Sequence, residues 1–66
     1  MNVDKYRCPC CGNYSLFSER EYEICNICGW EDDPIQFDDP DFYGGANLLS
    51  LNKSREVYYA LLKEIF

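Results

Sequence analysis

Cys8-Pro9-Cys10-Cys11-Gly12 and Cys25-Asn26-Ile27-Cys28-Gly29 are two C-x-x-C-G turns, with thirteen residues between Cys11 and Cys25. Two cysteines three positions apart, followed by glycine, form a tight turn whose backbone N–H groups face the sulfurs, and the glycine supplies an open backbone position. One turn offers two thiolates to an ion; two turns offer a tetrahedral set of four. We therefore assign Cys8, Cys11, Cys25 and Cys28 as ligands of one zinc ion. Four-thiolate sites also accept iron. The rubredoxin arrangement places its C-P-x-C-G second and with a longer gap, which ranks iron behind zinc. Cys8-Pro9-Cys10-Cys11 also fits the C-P-x-C of a disulfide exchanger, but no βαβ unit surrounds it. Cys10 is left over, and reads first as a small buried hydrophobe, second as an alternative ligand or a redox-sensitive thiol.

Working outward, Tyr14-Ser15-Leu16-Phe17 and Glu21-Tyr22-Glu23-Ile24 alternate partly in apolar character around Ser18, Glu19 and Arg20, which predicts a β-hairpin joining the two turns. Asp33-Pro34, Asp39-Pro40 and Gly44-Gly45 are breaker signals, so residues 31–47 read as a long acidic loop without a regular element. Leu51, Tyr58, Leu61, Leu62 and Ile65 recur at helical spacing, with Lys53, Arg55, Glu56, Lys63 and Glu64 largely elsewhere on the wheel. A helix from about residue 51 to the end follows, with Ser50 as its N-cap. The fold class is small α+β: a zinc-ribbon-like β-hairpin with two cysteine turns, a long acidic loop and a C-terminal α-helix. At 66 residues this is one domain, 1–66, and a core this small needs a staple.

The chain has no histidine, which removes Ser-His-Asp and Cys-His catalysis and histidine-liganded metals. A four-cysteine site is closed and leaves no coordination position for substrate or activated water. The expectation is a protein that is not an enzyme. Twelve acids against six bases give a net charge of -6, which argues against nucleic acid or an anionic membrane as partner. No apolar run reaches the 18 or so residues that span a bilayer, and no signal peptide is visible. The expected address is the cytoplasm, where thiols stay reduced; five cysteines could not all pair within one chain in any case.

Glu31, Asp32, Asp33, Asp38, Asp39 and Asp41 crowd six acids into eleven positions. They read either as a solvated loop or as a landing surface for a protein with a basic face. A calcium loop is ruled behind both by the missing D-x-D-x-D-G spacing. Eleven aromatic residues are a heavy load, and Tyr14, Phe17, Tyr22, Trp30, Phe37 and Tyr58 are expected in the core, with Tyr59 and Phe66 as exposed contact residues. Gly44-Gly45-Ala46-Asn47 reads as a structural turn, in which Asn47 bonds local backbone; the surrounding acids oppose an anion loop there.

The run Cys8-Pro9-Cys10-Cys11-Gly12, then Tyr22 to Asp33 around the second turn, then Gly44-Gly45-Ala46-Asn47 with Ser50-Leu51 and Arg55, resembles the CPCC family of small cysteine-rich bacterial proteins. The resemblance implies a zinc-ribbon type of fold, and an association of some members with toxin systems as candidate immunity proteins. One departure is Lys53, where a Glu would complete a capping box with Ser50. Together these readings describe a zinc-stapled, non-enzymatic protein-binding module with an acidic surface, of toxin-immunity or regulatory type. The alternative is a thiol or metal redox protein, either a redox sensor or a rubredoxin-like electron carrier.

Overall fold

The computed structural model describes residues 5–65. Side chains from Lys63 onward lie outside the described set, so the readings of Lys63, Glu64, Ile65 and Phe66 fall outside it too. Strand β1 (Tyr6–Arg7) pairs antiparallel with β2 (Tyr14–Leu16), in the register Tyr6 to Leu16 and Arg7 to Tyr14, with an irregularity between Tyr6 and Arg7. The first cysteine turn is the tip of this hairpin. The second turn is flanked by a single antiparallel bridge, Ile24 to Glu31.

The two turns are structural copies. Cys8 N–H donates to Asn13 C=O and Cys25 N–H to Trp30 C=O, both at 2.8 Å; Gly12 N–H returns to Cys8 C=O at 2.9 Å and Gly29 N–H to Cys25 C=O at 3.0 Å. Gly12 and Gly29 sit at φ +80° and +85°, a region closed to most side chains, which is why each C-x-x-C ends in glycine.

The small α+β class stands, with a two-stranded hairpin, a cysteine cluster and a C-terminal helix, but the strand pairing differs from the expected one. Tyr14–Leu16 pairs backward with Tyr6–Arg7, and does not pair forward with Glu21–Ile24. Side chains explain the change. The Glu23 carboxylate accepts from Phe17 N–H at 2.9 Å and Ser18 N–H at 3.0 Å, tying 17–23 into a loop. Arg20 and Tyr22 adopt φ +56° and +63°, which no strand permits. The backbone of 22–23 is satisfied by Asp32: Tyr22 N–H donates to Asp32 C=O and Asp32 N–H to Glu23 C=O.

The loop 31–47 also holds a regular element, α1 (Pro34–Asp38). Asp33 is its N-cap, accepting Ile35 N–H at 2.8 Å, and Pro34 occupies the first turn, where a missing N–H costs nothing. The Asp-Pro pair therefore starts a short helix instead of breaking one. Helix α2 (Leu51–Ile65) begins where expected: Ser50 Oγ accepts Lys53 N–H at 3.1 Å, so the cap holds without a capping-box partner. Its Arg55 reaches back across the chain, Nε donating to Pro9 C=O at 2.8 Å, which anchors the helix to the first turn.

Leu16, Trp30 and Leu51 pack around Cys8, Cys10, Cys11 and Cys25 to form the core, with Tyr58 and Cys28 against it. Tyr14, Phe17, Tyr22 and Phe37, expected inside, are exposed. The body measures 33 × 32 × 14 Å, too thin for a second layer, and sulfur fills the space that rings would take. Tyr59 is exposed, as expected. Among the described residues no helix is long and apolar enough to cross a membrane.

Candidate metal centre

Each turn delivers two sulfurs locally, with β1 and β2 flanking the first and the Ile24–Glu31 bridge the second, and the turns meet in the buried core. The Sγ atoms of Cys8, Cys11, Cys25 and Cys28 all lie within 4.8 Å of one another, with Cys8 to Cys28 at 3.5 Å and Cys11 to Cys25 at 3.8 Å. A tetrahedron of sulfurs about 2.3 Å from a central ion has edges of about 3.8 Å. The four cysteines are therefore positioned to bind a metal ion. Cys8, Cys11 and Cys25 are buried and Cys28 is half-buried, so the site closes around an ion and keeps it from solvent.

Burial and hydrogen bonds act unequally on the Cys8, Cys25 and Cys28 thiols. Burial raises the Cys8 thiol above its ordinary range against the pull of Cys11 and Cys10 N–H groups, and burial pushes Cys28 up to about 12. Cys25 goes the other way. Burial would raise it, but the Ser15 hydroxyl at 3.0 Å and the N–H groups of Cys28 and Ile27 outweigh this and bring it to about 6. In the folded arrangement Cys25 gives up its proton more readily than an ordinary thiol, and Cys8 and Cys28 less readily. The ion takes only thiolates, so binding must expel at least the Cys8 and Cys28 protons. Affinity should then fall at least about a hundredfold for each unit that the pH drops between about 8 and 6. Chelator competition across that range measures the slope, and a flat profile would contradict protonated Cys8 and Cys28 thiols in the metal-free chain.

Cys10 stands outside the tetrad, 4% exposed, its thiol pushed up to about 11 by burial, with Cys28 pulling down. The six acids are not one surface. Asp32 is fully buried, accepting Arg20 N–H at 2.7 Å and pairing with the Arg20 guanidinium at 3.0 Å. Asp33, 3% exposed, caps α1 with Oδ1 and accepts Ala46 N–H at 2.8 Å with Oδ2. Both are internal struts, because a carboxylate beside unpaired N–H groups is worth more than one in water. Glu31 is half-buried, and Asp38, Asp39 and Asp41 are exposed.

Sequence reasoning missed Gln36, fully buried on α1 between the exposed Ile35 and Phe37. Its Nε2 donates to the carbonyls of Phe42, Asn47 and Leu49, and its Oε1 accepts from Asn47 N–H and Nδ2. Asn47 in turn brackets Glu31, accepting its N–H at 2.9 Å and donating to its C=O at 2.8 Å. Gly45 lies so close that a Cβ would sit 2.6 Å from Asp33 Oδ2 and 2.8 Å from Gln36, so only glycine fits. The glycine pair before Asn47 was the one visible trace of this network. It locks the loop onto Glu31, in the bridged segment that leaves the second turn.

The doubled turn, the Asp32-Asp33 struts and the Gly45-Asn47 lock all lie within one matched stretch of the chain. Residues 6–61 match the model of the family described as Cysteine-rich CPCC. The chain belongs to this family. No curated protein matches the chain. Within the CPCC segment, the first two cysteines of the run that gives the family its name divide into a ligand, Cys8, and a buried bystander, Cys10.

Proposed function

We propose that this CPCC protein is a non-enzymatic, zinc-stapled module that binds another protein. Zinc, one ion, is favoured over iron by the closed structural character of the four-thiolate site and by the short gap between turns. A reducing compartment such as the cytoplasm suits it, since the five cysteines are free thiols. The observation that carries the binding reading is the corner after α1. Asp38, Asp39, Asp41, Phe42 and Tyr43 are all exposed within six residues, and the backbone there is held by Phe42 N–H to Asp39 C=O at 2.9 Å and Gln36 to Phe42 C=O at 3.0 Å. A fixed corner of acids and rings offers charge for steering and apolar area for anchoring, without an ordering cost on association. The partner would carry a basic face, which excludes nucleic acid and anionic membrane. A toxin-immunity or regulatory role fits that mode of action.

The redox reading rests on Cys10 and has less support, because a buried, protonated thiol is a slow nucleophile. Capture of partners from the protein's own cells, by crosslinking to the zinc-loaded chain, tests the binding reading. Changing Asp38, Asp39 and Asp41 together to Lys should lower capture at least about tenfold and flatten its dependence on salt, with zinc content unchanged. Capture and salt dependence that survive the triple change would remove this corner from the mechanism.

A further inference from the structure

The chain has three arginines, and all three line one cleft. The cleft, of about 400 Å³, lies between the first cysteine turn, the loop at Arg20 and helix α2. Arg7, Arg20 and Arg55 converge there in a protein of net charge -6, and Glu19 is the one acid among the lining residues. The guanidiniums are not equally committed. Arg20 is spent on Asp32 at 3.0 Å and on the ring of Phe37, over which it stacks at 3.7 Å. Arg7 and Arg55 have no ion-pair partner among the described residues. Their hydrogen bonds are to neutral oxygens, Arg7 Nε to Gly12 C=O at 3.3 Å, Arg55 Nε to Pro9 C=O at 2.8 Å and Arg55 to Asn52 Oδ1 at 3.2 Å, and Arg7 also lies over the Tyr14 ring, 5.8 Å from its centroid. These bonds hold each guanidinium at the cleft while leaving terminal N–H groups for a ligand.

In a chain with twice as many acids as bases, two arginines that line one cleft and have no ion-pair partner among the described residues point to an outside anion. Forked donors approaching from the first turn and from α2 suit a tetrahedral oxyanion, which accepts along several directions, better than a flat carboxylate. Tyr59 lines the same cleft and is exposed, offering an apolar face beside the charge, while Arg20 already covers one face of Phe37. The volume lies in the range of small-molecule sites. We propose that this cleft binds the phosphate of a small aromatic phosphoester, of the nucleotide class, with Arg7 and Arg55 as its donors. The site is separate from the acidic corner at Asp38–Tyr43 and does not depend on it.

The rival explanation is internal: the arginines would balance the negative charge of four thiolates on a dication, since Cys8 also lines the cleft. The two ideas part in an NMR titration of the zinc-loaded chain with AMP, inorganic phosphate and acetate, alongside a zinc assay. The expected result is saturable shifts of the Arg7 and Arg55 side-chain N–H signals, strongest for AMP, weaker for phosphate and absent for acetate. Arg7→Gln, at an exposed position, should weaken AMP about tenfold with zinc content and folding intact. Arg55→Lys keeps the charge but loses the fork, and should weaken AMP while leaving zinc affinity in place. The proposal is overturned by no saturable shift, by acetate matching AMP, or by an Arg7→Gln loss that tracks zinc affinity instead of AMP.

Discussion

Serine in place of any one of Cys8, Cys11, Cys25 or Cys28 should leave the chain unfolded. A domain of this size has on the order of 3–10 kcal/mol of stability, at the usual 0.05–0.15 kcal/mol per residue. Structural zinc contributes about 10–16 kcal/mol in small peptides, more than that whole margin. The core offers little to fall back on, because among the described residues its buried apolar side chains other than cysteine are Leu16, Trp30 and Leu51. Loss of one sulfur also leaves the other three crowded thiols without the ion that reconciles them. The expected readout is a collapse of amide dispersion in the NMR spectrum and of the α2 signal in circular dichroism, reproduced in the parent chain by a strong chelator. Cys10→Ser is the control: it should keep the fold and one bound ion, since Cys10 lies outside the tetrad. A Cys25→Ser chain that stays folded with one metal would show that the ion is not the staple, or that Cys10 has stepped in. Metal-edge spectroscopy, counting sulfurs, distinguishes those two.

Gln36→Leu should have the second largest effect. The substitution is close in volume, so it isolates the amide. Three carbonyls, of Phe42, Asn47 and Leu49, lose a donor at once, and Asn47 loses the acceptor for two of its N–H groups. Buried polar groups left without partners cost about 1–3 kcal/mol each, and some of these will reach water as the loop loosens, so a total of about 3–5 kcal/mol is expected. The loss should be local. Amides of residues 39–49 should exchange quickly with solvent, while the turns at Cys8 and Cys25 stay protected and the metal stays bound. Gln36→Glu should do no better, because it too removes the donor shared by three carbonyls. Loss of the metal alongside the loop, or no loosening at all, would show that this network is not the lock between α1 and the segment before α2.

What was legible in the sequence was whatever is decided within a few residues. The C-x-x-C-G spacing fixes each turn, because its hydrogen bonds run from Cys8 to Gly12 and from Cys25 to Gly29 and need no distant partner. The α2 start was legible for the same reason, since Ser50 caps Lys53 three positions on. The strand pairing was not. Tyr14–Leu16 could pair on either side, and the choice was made by Glu23 and Asp32, whose carboxylates claim the N–H groups that a forward hairpin would have used. Charge counting went astray at Asp32 and Asp33 because it assumes that acids face water. In this fold a guanidinium and a row of backbone donors were waiting inside. Gln36 had no legible signal, as its five partners come from residues six to thirteen positions away, in a segment without periodicity.

The duplication of the cysteine turn bears on how an ion enters and leaves. Each turn is complete in its own hydrogen bonds, so each acts as a preformed bidentate half. An ion held by one half would meet the other at an effective concentration set by a short tether, so the second pair of sulfurs would close as a chelate. Release must run in reverse, one half at a time. For an ion bound at the four cysteines, an acceptor with two free thiolates would have a ligand-exchange route beside simple dissociation.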